Sequence, residues 1–297
     1  MDNILKRTIA EYFLKEDYKK QKYIQNKAIE VFDYLIEYYF KEGEDRGEFL
    51  VSEFLPELNI EETDYWDSVE VEIIYYIPIE DREQIKGKLL VSGNKDIGIH
   101  MGIVLYLEDS YEENMENFKD ADWFWVDFRR KILHTFIHEF NHLYYQVSSK
   151  MAQRGIRNIQ TKNMSTDDYM SDPGEMIAHL SEFETIFNNS LNIEYSNIKS
   201  KLEDNDALEL NDMRLINNII KVNNFETFQG FLVFLYKSGI YKKMEGIEGF
   251  LYMLLNKKYK YRRNFIKKLF DIWENNKSEY LNITKDFKDI KRKINED

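Results

Sequence analysis

The stretch His134-Thr135-Phe136-Ile137-His138-Glu139-Phe140-Asn141-His142 sits inside a longer run, Trp123 to Val147, that contains neither glycine nor proline. A run of that length without a breaker reads as one long helix. On a helix, residues four apart project from one face about a turn apart, so His138 and His142 can share a single tetrahedral ion. Glu139, one position on, is rotated by about 100° around the axis, where its carboxylate reaches a water on that ion without ligating it. This is the HExxH arrangement, in which zinc acidifies water and the glutamate removes the proton.

Upstream of this helix the hydrophobic period changes. Val69, Val71, Ile73, Tyr75 and Ile77 alternate with more polar neighbours before Pro78, the pattern of a strand. Lys88–Ser92 and Ile97–Leu107 are two further strand candidates, flanking the turn-like Gly93-Asn94-Lys95-Asp96. Connections this short leave no room for helical crossovers, which predicts a small, mostly antiparallel or mixed sheet. Glu108 to Asp122 reads as an acidic loop. Before the strands, Ile24, Ala28, Val31, Leu35 and Tyr38 recur at helical spacing and end near Gly43. After the HExxH segment comes a polar stretch, then a helix from Pro173 to about Phe187, then about four amphipathic helices. One of these carries the stripe Phe265, Ile266, Leu269, Ile272 and Trp273. The fold class is α+β, organised as a helical segment over 1–60, a metal-binding core over 61–195 and a helical region over 196–297. The three segments are compatible with one continuous domain.

A catalytic zinc takes three protein ligands and keeps a position for water. The extended HExxHxxGxxH form is excluded, because Tyr145 and Ser148 occupy its last two positions. Glu175 is the leading candidate for the third ligand, on a helix with enough chain before it to fold back. Glu175, His179 and Glu182 share one face, offset from the apolar stripe of Met176, Leu180, Phe183 and Phe187. Capping gives Glu175 a second explanation, with Asp172 as N-cap and Pro173 in the first helical position. His179 is the reserve ligand, or a partner that orients a ligand from behind. His134, four before His138, encloses Thr135 instead of a glutamate. It cannot join both other histidines on one ion, since eight helical residues span roughly 12 Å. It reads as a supporting or simply packed residue.

With 43% hydrophobic residues, 21 Tyr and 20 Phe, the chain can bury a large core. Its net charge of −13 repels phosphate backbones, so nucleic acid is not an expected partner. The basic, aromatic-interleaved run from Lys257 to Arg263 reads as a solvated helix face. The absence of cysteine excludes thiolate metal sites and cysteine nucleophiles. No apolar run is long enough to span a membrane, and the N-terminus has no apolar signal-like core, so a soluble cytoplasmic protein is expected.

These residues resemble the zincin metallopeptidases, in particular the branch whose third ligand is a glutamate on the helix after HExxH. The segment Tyr169-x-x-x-Pro173-x-Glu175-x-x-Ala178 is also similar to a pattern in uncharacterised, often phage-encoded, HExxH proteins. The resemblance covers roughly residues 95–190. It implies His138, His142 and Glu175 as zinc ligands, Glu139 as general base, and Tyr169 near the site as an oxyanion donor, a role for which the proposed strand also offers His100. It also implies a zincin-like sheet whose edge strand pairs with extended substrate, for which Ile97–Leu107 is the nominated segment.

The expected activity is hydrolysis of peptide bonds, with a protein or peptide substrate and Zn2+ as cofactor. A second class is a zincin-fold structural or assembly protein, for example a phage virion component with viral partner proteins and a non-catalytic metal site. The Lys-, Asn- and Ile-rich composition suits an AT-rich genome, phage included.

Overall fold

The computed structural model describes residues 3–58, 65–77, 85–94, 98–148, 173–203, 208, 210–221, 225–237, 248–256 and 262–296. It divides into two compact units, one formed by Lys19–Glu182 and one by residues 1–18 together with 183–297. The boundaries near 60 and 195 fall within these units, not between them. The protein is α+β, with its single described sheet in the first unit.

The first unit begins within helix α1 (Asn3–Tyr38). Its residues Ile24, Ala28, Val31, Phe32 and Leu35 are fully buried, the three- and four-residue spacing that makes one face apolar. A short 3-10 turn, Phe40–Glu42, follows. Gly43 closes it at φ 93°, a left-handed conformation that costs glycine little, and its N–H bonds Phe40 O at 3.1 Å.

Four strands follow: β1 (Arg46–Leu50), β2 (Tyr65–Tyr76), β3 (Lys86–Asn94) and β4 (Gly98–Glu108). The single turn α2 (Val51–Phe54) lies between β1 and β2. The spatial order is β1-β2-β4-β3, with β1·β2 and β3·β4 antiparallel and β2·β4 parallel. The sheet is therefore mixed. Because β3 pairs antiparallel on the outer side of β4, β4 returns parallel to β2 with no helix among the described residues between them.

This order corrects the expectation that Ile97–Leu107 is an edge strand. β4 pairs on both sides, with β2 and with β3, and has no free edge to offer a substrate. Met101, Ile103, Leu105 and Leu107 are buried on one face and Val104 on the other, so both faces of the sheet are covered at this strand. The edges are β1 and β3, and on β3 Leu90 is 41% exposed. The acidic stretch after β4 is also not a loop throughout. Asp109–Phe118 forms helix α3, anchored by the buried pair Tyr111 and Met115 one turn apart.

Helix α4 (Asp122–Ser148) carries the HExxH segment. Its Phe128, Ile132, Phe136 and Phe140 join the core made by α1 and the sheet. The Phe136 ring lies 5.0 Å from Phe32, and Phe140 lies 5.9 Å from Phe49 of β1. Helix α5 (Pro173–Glu203) starts at the predicted proline but runs past the predicted end near Phe187. Its residues up to Glu182 belong to this unit.

The second unit is helical among its described residues. It holds the remainder of α5 with α6 (Leu210–Lys221), α7 (Phe228–Lys237), α8 (Glu248–Leu255) and α9 (Arg262–Glu296). Its core is aromatic: Phe183 stacks on Phe250 at 3.7 Å, and Phe231 packs against Phe187, Phe225 and Tyr280. Most of the basic run, residues 257–261, lies outside the described residues. Arg262 donates to the Leu254 and Asn256 carbonyls at the end of α8. No described helix is long and apolar enough to cross a membrane.

Candidate metal centre

The helical rise brings the His138 and His142 rings together on α4, with their centroids 4.8 Å apart and their Nε2 atoms 3.1 Å apart. The first turn of α5 places Glu175 against both. Its Oε2 lies 3.5 Å from His138 Nε2, and its Oε1 lies 3.4 Å from His142 Nε2. A tetrahedral ion with bonds of 2.0–2.1 Å separates its ligand atoms by roughly 3.3 Å. The imidazole pair, at 3.1 Å, is near that edge length, and Glu175 meets each imidazole through a different oxygen, with one donor atom from each residue falling within 4.8 Å of the others.

The polar environment fits a cation as well. Glu175 is 4% exposed, and its Oε2 is buried without a hydrogen-bond partner. An ionised carboxylate in such a place is costly unless a positive charge is close by. Burial alone would push the His138 imidazolium down, but Glu175 and Glu182 outweigh it and hold the group up at about 10. Burial alone would push Glu175 up, and His138 and His142 reverse this to hold its carboxyl well below the usual carboxylate range. The negative field that retains a proton on His138 is the field that would attract a metal cation. Two imidazoles and one carboxylate make a donor set that fits a metal cation, and His138, His142 and Glu175 are residues that could hold one.

Glu139 is buried on α4, and its Oε2 accepts the backbone N–H of Leu89, on edge strand β3, at 2.8 Å. This contact depends on Gly87. A Cβ at that position would stand 2.5 Å from Glu139 Cγ and 2.8 Å from its Oε1, so only glycine lets β3 approach so closely. Glu139 is also among the charges that raise His138.

Behind the triad, His179 Nδ1 lies 3.0 Å from Glu182 Oε2, and its ring is 4.5 Å from that of His138. Glu182 Oε2 lies 3.5 Å from His138 Nδ1. Burial would raise the Glu182 carboxyl, yet His138 and His179 bring it down to about 2. His134 is buried, a turn before His138, and belongs to neither convergent group of donors. Tyr169 and Asp172 lie outside the described residues.

The structure thus brings together His138, Glu139, His142, Glu175 and His179 of the sequence-derived set. Two features went unassigned in the sequence. Glu182 shares a face with Glu175 and His179 at seven- and three-residue spacing, a signal that identifies it once both neighbours are given roles. Gly87, a lone glycine at the start of a strand pattern, is the usual mark of a close backbone approach. Comparison of the chain with protein-family models, with curated proteins and with solved structures returns no match.

Proposed function

We propose that the protein is a zinc-dependent metallopeptidase with a zincin-like core. The observation that carries this reading is the convergence of His138, His142 and Glu175, whose donor atoms, one from each residue, lie within 4.8 Å of one another. The mixed sheet, with the HExxH helix lying against its edge strand β3, supports the zincin-like assignment. Bound zinc would supply Lewis acidity, polarising a scissile carbonyl and acidifying a water.

The chain's own groups supply the rest. Glu139, held in place by Leu89 N–H through Oε2, takes the proton of the attacking water on Oε1 and passes it to the leaving amine. The burial of Glu139, at 8% exposed, keeps bulk water from competing for that proton. An extended peptide is the expected substrate, and β3 is the strand edge it would approach, in place of β4.

Incubating zinc-loaded protein with a mixed peptide library, with product masses as the readout, tests the reading. The wild type should cleave, and Glu139→Gln should retain zinc while turnover falls by about 10²–10⁴-fold. Equal cleavage by both proteins would remove Glu139 from the mechanism. A specific observation favours a second reading, a metal site without turnover in a structural or assembly protein: Glu139 is already engaged by the main chain of β3. Zinc bound at one per chain with no cleavage of any library member would select it.

A further inference from the structure

Glu182 takes no part in the chemistry above, yet it is 5% exposed and one of its oxygens faces two imidazoles. Its Oε2 lies 3.0 Å from His179 Nδ1 and 3.5 Å from His138 Nδ1. The geometry on His138 is directional. Its Nε2 faces Glu175 and His142, and its Nδ1 faces Glu182. A neutral imidazole has one N–H, and only the Nδ1–H tautomer leaves the Nε2 lone pair for an ion. A carboxylate at Nδ1 selects that tautomer and fixes the ring plane.

We propose that Glu182 is the positioning residue of the metal centre: its Oε2 accepts the Nδ1–H of His138 and of His179 together, locking both rings and turning the His138 Nε2 lone pair toward the ion. The proposal rests on the zinc reading and assigns the residue that organises the site from behind. The same contact leaves His179 with a buried Nε2 that has no hydrogen-bond partner.

His138, His179 and Glu182 also form a convergent group whose donor atoms lie within 4.8 Å of one another. An ion there would need the Nδ1 lone pair of His138. Holding ions on both sides of the ring would require the imidazolate, so one ion with Glu182 outside its coordination shell is the economical arrangement.

Zinc affinity measured by chelator competition, with the 15N spectrum of the histidine side chains, tests this without any substrate. In zinc-loaded wild type, His138 should carry its proton on Nδ1 and its metal on Nε2, a readout that needs no variant. Glu182→Gln should bind zinc 10–100-fold more weakly, still reach one zinc per chain at saturation, and lose the His138 tautomer signature. His179→Ala, which removes one of the two N–H groups on Glu182 and leaves its carboxylate on His138, should weaken zinc binding by less than Glu182→Gln does. Unchanged affinity in Glu182→Gln, metal on His138 Nδ1, two zinc ions per chain, or a loss in His179→Ala as large as in Glu182→Gln would each overturn the proposal and leave the zinc site standing. No zinc in the wild type would overturn both.

Discussion

In the helical unit, the buried Glu184 shares one oxygen between the Tyr18 hydroxyl and the Asn276 amide, each at 2.8 Å, and Asp212 takes Lys201 Nζ at 2.9 Å. In the sheet-bearing unit, Glu175 and Glu182 are just as deeply buried, but their described partners are imidazoles that they hold at 3.0–3.5 Å. Hydroxyl, amide and ammonium donors settle a carboxylate within the protein. Carboxylates gathered around histidines leave a net negative pocket that a cation stabilises. The first arrangement serves the packing of helices. The second holds a proton on His138 between carboxylates, a place that a metal cation could take instead, which is the physical sense in which it reads as a site.

The comparison can be broken at its apolar end first. Phe231 is fully buried among Phe187, Phe225 and Tyr280, so Phe231→Ala should destabilise the protein by about 3–5 kcal/mol in denaturant unfolding. A loss under about 1 kcal/mol would mean that this aromatic cluster is not a packed core. The polar pocket predicts a dependence that the aromatic core lacks. Removing zinc with a chelator should cost about 2.7 kcal/mol relative to protein held at a hundredfold excess over Kd. A melting temperature indifferent to zinc would erase the distinction between the two kinds of buried charge. The smallest effect belongs to the settled network: Tyr18→Phe removes one hydrogen bond from the Glu184 carboxylate, and about 2 kcal/mol should be lost whether zinc is present or not.

The helix that carries the site was legible in the sequence, because Trp123–Val147 has no breaker and its histidines obey the helical period. The start of α5 at Pro173 was legible for a similar reason, since proline suits the first helical position. Strand order was not. Whether β4 lies at an edge or in the middle depends on its pairings with β2 and β3, and its apolar run is compatible with either. Helix α3 was hidden by its acidic composition, although Tyr111 and Met115 four positions apart anchor it. Of the candidate site, the His138–His142 pair followed from helical spacing, while Glu175 was a candidate whose place in the first turn of its helix capping also explained. The Leu89 N–H on Glu139 could not follow from spacing, because a backbone donor on a strand edge leaves no mark in residue type.

Zinc content by mass spectrometry on tag-free protein is the most direct test of the central claim. The account predicts about one zinc per wild-type chain, lost in both His142→Ala and Glu175→Ala while the fold is retained by circular dichroism. No zinc on the wild type, even after it is supplied and the excess removed, would contradict it, as would zinc that survives both substitutions.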